Sequence, residues 1–165
     1  MTDISWLPKL VRLIDYSGDN TYYLDTLYKI FIDDLVNGKL SLFGKPVLIP
    51  KELDTDGRHE RFWHTITDPH NPAIPDIKPT RAERIPWIKA IITNIQRDDI
   101  LVYERMKKGD IRLHLFVPSQ NYIVIFTERK KAYYYVTAFY IEYTYKLEDY
   151  QREYEKYKAK TKTAP

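Results

Sequence analysis

Two stretches, Phe62-Trp63-His64-Thr65 and Arg81-Ala82-Glu83-Arg84-Ile85-Pro86-Trp87-Ile88, hold the residues best suited to chemistry. In the first, one histidine stands among large apolar neighbours that would restrict water. Imidazole exchanges a proton near neutral pH, which suits it to acid–base work. In the second, two arginines precede an apolar helix whose first turn accepts Pro86 without losing a needed N–H. Guanidinium grips a phosphate through a planar fork of donors, and the free N–H groups of a helix start also favour an anion. Cleaving RNA requires that a 2′-hydroxyl lose a proton, that the leaving 5′-oxygen gain one, and that the charge on the pentacovalent phosphorus be offset. A histidine serves one of the first two roles and arginines the third, each lowering the barrier by roughly 2–4 kcal/mol. The same residues equally fit a hydrogen-bonded core histidine and surface salt bridges from Arg81 and Arg84 to Glu83 or Asp76, and the sequence leaves both open.

Other chemistries have less support. The four histidines, His59, His64, His70 and His114, form no pair at helical ligand spacing, and no set of carboxylates has calcium-loop spacing. No metal or other cofactor is therefore expected. There is no Gly-x-Ser-x-Gly elbow and no phosphate-cradling glycine loop among only 5 glycines. The absence of cysteine removes disulfides, thiolate metal sites and cysteine nucleophiles. Glu128-Arg129-Lys130 has the acidic-x-Lys pattern of magnesium nucleases, but it falls in an expected hairpin turn and reads as a solvated loop.

The elements that must position these groups can be read from periodicity. Residues 21–36 have an amphipathic helical pattern, with Asn20 as N-cap and Gly38 as stop, and a shorter helix is expected over 7–16. Residues 44–50 suggest a short strand between breakers. The Phe62-Trp63-His64 segment is read as helix. Residues 68–80 contain Pro69, Pro72, Pro75 and Pro79 and are expected to form a rigid extended loop. Ile85, Ile88, Ile92 and Ile95 mark one face of a helix. Four strands follow, over 100–105, 111–117, 122–127 and 132–142. In the second, Ile111, Leu113, Leu115 and Val117 alternate with Arg112, His114 and Phe116. The short turns between them imply an antiparallel meander. Tyr143, Leu147, Tyr150, Tyr154 and Tyr157 then step at helical spacing, with Glu148 and Arg152 as an i,i+4 pair and a frayed end from residue 160. The expected fold is α+β: N-terminal helices on a four-stranded antiparallel sheet, followed by a C-terminal helix. It forms one domain over 1–165, with a helical part at about 1–57, a core at about 58–145 and a terminal helix at about 146–159.

Composition narrows the partners. Hydrophobic residues make up 44% and charged residues 30%, an ordinary globular balance. The 15 tyrosines offer broad rings with polar tips, suited to half-buried strands and base stacking. Residues 78–131 carry 12 Lys/Arg against 6 Asp/Glu, whereas residues 1–77 carry 8 against 12. The basic surplus thus falls where a polyanion would meet the candidate site. No apolar run is long enough for a membrane span and no secretory pattern opens the chain, so a cytoplasmic location without a membrane partner is expected.

In order along the chain, Phe-Trp-His-Thr, Arg-x-x-Arg-Ile-x-Trp-Ile, Tyr103-Glu104-Arg105, Arg112-Leu113-His114-Leu115 and the strand from Tyr133 to Tyr140 with Thr137 at its centre resemble phage- and mobile-element-type members of the barnase–EndoU–colicin–RelE ribonuclease superfamily. The resemblance covers roughly residues 58–145. It implies helices on a four-stranded antiparallel sheet and metal-independent RNA cleavage that leaves a 2′,3′-cyclic phosphate. It further implies His64 as the acid–base residue, Arg81 and Arg84 on the phosphate, with Arg84 offsetting charge in catalysis, and Thr137 as the polar residue of the last strand. Arg105, Arg112, His114, Tyr103 and Tyr140 are the further candidates for RNA contact. No glutamate matches the base of barnase-type members, so the second proton-transfer group stays open among His114, Tyr103 and Tyr140. Such proteins often act as toxins held by a neutralising protein partner. The competing expectations are a non-catalytic RNA-binding module and a protein-interaction module that docks through the C-terminal helix.

Overall fold

Apolar alternation in the second half of the chain builds a sheet with two buried faces. The computed structural model describes residues 2–68 and 77–163. Its sheet has six strands: β1 (Ser41–Leu42), β2 (Lys45–Leu48), β3 (Leu101–Lys107), β4 (Asp110–Val117), β5 (Tyr122–Glu128) and β6 (Tyr133–Tyr140), in the order β1-β2-β6-β5-β4-β3. The antiparallel meander β3–β6 is the four-stranded sheet the sequence implies. The expectation stops short at the edge, where β2 joins β6 in parallel and β1 pairs with β2, making the sheet mixed. Residues 44–50 read as a strand from composition, but nothing local tells a strand which edge it will join.

Register explains the two cores. Leu113, Leu115 and Val117 of β4 share a face with Val124 and Phe126 of β5 and Tyr135 and Ala138 of β6, and the larger apolar core forms there. Helices α1 (Asn20–Phe31), α2 (Glu60–Ile66), α3 (Pro79–Ala82) and α4 (Ile85–Thr93) supply its other half through Leu27, Phe31, Phe62, Ile66, Ile88 and Ile91. On the opposite face Tyr103, Phe116 and Ile123 pack under α5 (Thr144–Thr163) through Leu147, Tyr150, Tyr154 and Tyr157. The result is helices, sheet, helix. Among the described residues no helix is long and apolar enough to cross a membrane.

Several local details depart from expectation. The first helix is capped by Asp19, whose side chain accepts from the Tyr22 N–H at 3.0 Å, and begins at Asn20. It continues through Ile32–Val36 as a wider turn in which the Asn37 N–H reaches the Ile32 carbonyl at 2.8 Å. Gly38 follows because a Cβ there would stand 1.9 Å from the Asp34 carbonyl oxygen. Residues 7–16 are not a helix. Only Leu13–Tyr16 form a single tight turn, because the Val11 N–H is taken by the Glu83 carbonyl and Leu7 and Leu10 pack as irregular chain. Pro79 is the first residue of α3 rather than part of an extended loop, and 69–76, including His70, lie outside the described residues. Arg152 pairs with Asp149 at 2.5 Å instead of with Glu148, and α5 runs to Thr163. The β3–β4 turn is the two-residue type with both central φ angles positive, Lys108 at 51° and Gly109 at 83°, which matches the strand twist.

Phe62 ties α2 to the rest of the molecule. It is fully buried and meets Tyr28, Phe31 and Trp63 edge-on at centroid distances of 4.9, 5.5 and 5.7 Å. Phe62→Ala is expected to lower unfolding free energy by about 3–5 kcal/mol, read as a shift of the denaturant midpoint. A midpoint unchanged by the substitution would show that α2 is not anchored this way.

Candidate functional site

Helix α2 carries His64 because its two faces differ. Phe62, Thr65 and Ile66 turn inward, while His64 is exposed and Arg61, three residues earlier, is half-buried on the same side. Thr65 fixes the helix to the sheet. Its hydroxyl donates to the Arg61 carbonyl at 2.7 Å and therefore accepts from the Tyr135 O–H at 2.6 Å. Burial pushes the Tyr135 phenol well up, so it stays a protonated donor. The His64 imidazole is 49% exposed, with its Nε2 atom 3.8 Å from the carboxylate of Glu60, one turn earlier.

A cleft of about 540 Å³ opens beside His64, between α2 and α3 on one side and the start of α5 on the other. Its back is β6. Strand β2 covers that edge of β6 only at Tyr133 and Tyr134, so the following residues have no strand partner there among the described residues. On the other side of the strand, the ladder to β5 slips. Ile125 faces Thr137 and Phe126 faces Tyr135, which leaves Val136 as an extra residue. Its carbonyl accepts from Arg61 Nη1 at 3.2 Å. A bulge of this kind re-aims neighbouring side chains, and here Val136, Thr137, Phe139 and Tyr140 all line the cleft.

Arg81 enters from α3. Its Nη1 donates to the His64 carbonyl at 3.2 Å, and its guanidinium lies 5.0 Å from the centre of the Phe139 ring. The accepting carbonyl is in the last turn of α2, where a cation is favoured. Burial pushes the Arg81 pKa down, against the raising influence of Asp68, yet an arginine remains charged at neutral pH. Lys78 closes the floor with Nζ 3.1 Å from Glu142 and 3.5 Å from Asp68. Arg61, Lys78, Arg81 and Lys146 thus face the cleft against two carboxylates. Among the described residues no group of three or more histidines and carboxylates could hold a metal ion.

The structure divides the residues singled out from the sequence. His64, Arg81, Thr137 and Tyr140 share the cleft. Arg84 does not line it. Its side chain is 15% exposed and held between the rings of Trp87 and Tyr140, at 5.1 and 4.5 Å, while Nη1 donates to the Thr80 carbonyl. Arg84 therefore braces Tyr140 from behind rather than facing a phosphate. Tyr103 and His114 are sealed under α5, stacked at 4.6 Å. The Tyr103 hydroxyl donates to Glu153 at 2.7 Å, and His114 Nδ1–H donates to the Arg112 carbonyl at 3.1 Å. Arg105 is bound by Glu153 on the α5 side of the sheet. Arg105 and Arg112 stand on β3 and β4, roughly 10–14 Å from β6 across the intervening strands. Their types suited phosphate contact, but the strand order places them away from the cleft.

Of the three groups weighed for the second proton transfer, Tyr140 alone lines the cleft. Glu142 and Asp68 line it too and escaped the sequence reading, as did Arg61, Lys78, Tyr145 and Lys146. Arg61 was detectable, standing one helical turn before His64. Lys78 and Glu142 carried no signal, because they meet only through folding. Comparison with protein-family models, with curated proteins and with solved structures finds no match.

Proposed function

We propose that the protein is a metal-independent endoribonuclease whose site is the cleft beside the bulged strand β6. The observation that supports this is that the half-exposed imidazole of His64, the Arg81 guanidinium and Thr137 line one cleft. In the proposed reaction the 2′-oxygen attacks the adjacent phosphorus and the bond to the 5′-oxygen breaks. The products are a 2′,3′-cyclic phosphate and a 5′-hydroxyl end. His64 carries one of the two protons, from the 2′-hydroxyl or to the 5′-oxygen. Arg81 faces the phosphoryl oxygens, where its attraction grows as negative charge develops. Thr137 offers a hydroxyl to the same group. Tyr140, Glu142 and Asp68 are the cleft groups within which the second proton carrier is sought.

Purified protein is expected to cleave RNA in the presence of EDTA and to leave cyclic phosphate ends, read by end-group analysis. Arg81→Ala should lower kcat about 10²- to 10³-fold, as loss of one preorganised donor does elsewhere. Arg81→Lys should recover only part, because an ammonium lacks the fork. Cleavage abolished by EDTA would replace this assignment with a metal-dependent one.

A further inference from the structure

The cleft continues past His64 in both directions. At its mouth Tyr143 and Tyr145 stack on each other at 5.6 Å with 28° between their planes, and they are 59% and 58% exposed. Two large rings left in water have no role in either core. Lys146 stands beside them, 5.8 Å from the Tyr145 ring centre. On the other side Arg61 is shared with a second, wider groove of about 1170 Å³. That groove runs over the β2–β6 junction to the β5–β6 turn and contains Lys51, Arg129, Lys130 and Lys131 with the exposed ring of Tyr134. Glu52 and Glu60 are its acidic members. Arg129 is held by Asp110 at 2.9 Å, but no salt bridge among the described residues engages Lys51, Lys130 or Lys131. Exposed aromatic faces alternating with unpaired cations suit a strand whose bases are unstacked and whose phosphates are accessible. A duplex keeps its base faces covered and gains nothing from the tyrosines.

We infer that the ligand of this surface is single-stranded RNA several nucleotides long. It lies from the Tyr143–Tyr145 platform through the cleft, over Arg61, and into the Lys51–Lys130–Lys131 groove. The inference rests on the ribonuclease assignment above for what happens at the centre of the path, and it adds the substrate class and the direction in which the chain leaves.

Binding is measured with His64→Ala protein, so that RNA is not consumed, using a labelled single strand of about 12 nucleotides and the blunt duplex of the same sequence. The single strand is expected to bind at least about tenfold tighter than the duplex. Adding Tyr143→Ala and Tyr145→Ala should weaken single-strand binding about tenfold, whereas the paired Tyr→Phe changes should preserve it. Adding Lys130→Ala and Lys131→Ala should weaken binding and flatten its salt dependence by about 0.7 in log–log slope for each phosphate no longer neutralised. Equal affinity for the duplex, or double variants that match their parent in affinity and slope, would overturn the path. Wild-type cleavage assayed in parallel separates the two claims. Cleavage combined with indifferent variants overturns the path and leaves the ribonuclease standing. Binding with all of these dependences but no cleavage supports the path and removes the ribonuclease.

Discussion

His64→Ala is expected to reduce RNA cleavage by about 10²- to 10⁴-fold while leaving RNA affinity within a few-fold of wild type. The imidazole is half-exposed, and the side chains that anchor its helix are Phe62, Thr65 and Ile66 on the opposite face. Its removal should therefore barely move the melting temperature, as is usual for surface substitutions. In the proposed site the phosphate-facing charge belongs to Arg81 and its neighbours, which remain, so binding and cleavage should separate. Free imidazole added to the variant should restore part of the rate, since the missing element is a proton carrier in an otherwise intact cleft. Glu60 lies 3.8 Å away, within ion-pair reach of a protonated ring, and Glu60→Gln should have a smaller effect in the same direction. A His64→Ala protein that cleaves at the wild-type rate would end the assignment. A variant that loses binding and cleavage together would make His64 a contact residue instead.

The parts legible in the sequence are those that depend on near neighbours along the chain. The alternation of Ile111 to Val117 placed β4 and both of its faces, and the isoleucine spacing from Ile85 placed α4. His64 and Arg81 were legible as residue types in context, and the structure brings them to one cleft. What escaped depended on strand order and on which face a helix covers. Arg112 and His114 share a strand face, as alternation says, but α5 closes over that face and leaves His114 buried. Arg84 matched Arg81 in type and lay three residues away, yet the rings of Trp87 and Tyr140 captured it. Tyr143 began the apolar stripe assigned to the last helix, but the helix starts after it and the ring is left in solvent. The parallel pairing of β2 with β6 joins residues 86 positions apart and had no local signature. That same pairing ends after two residues and leaves the edge on which the cleft is built.

The burial of His114 carries its own expected result, a loss of stability on mild acidification. The side chain is 5% exposed, stacked on Tyr103, and under the rings of α5. Burial pushes its pKa down to about 4, and the cations Arg105, Arg112 and Lys107 push the same way, while the hydrogen bond to the Arg112 carbonyl opposes them. An unfolded chain would hold this histidine near its ordinary 6.5. Above that pH neither state binds the proton and His114 contributes no pH dependence. Between 6.5 and about 4 the unfolded chain takes up a proton that the folded protein refuses, so stability falls as pH falls. Below about 4 both states are protonated and the loss is complete, on the order of 3 kcal/mol at 1.36 kcal/mol per pKa unit. His114→Gln, which keeps a donor for the Arg112 carbonyl and cannot titrate, should flatten denaturant midpoints across this window even if it lowers them overall. The two histidines are thereby set apart by experiment. Acid sensitivity of folding should follow His114 and leave cleavage chemistry to His64. If the wild-type midpoint were flat from pH 7 to about 4, or fell as steeply in the glutamine variant, the buried neutral imidazole under α5 would be refuted.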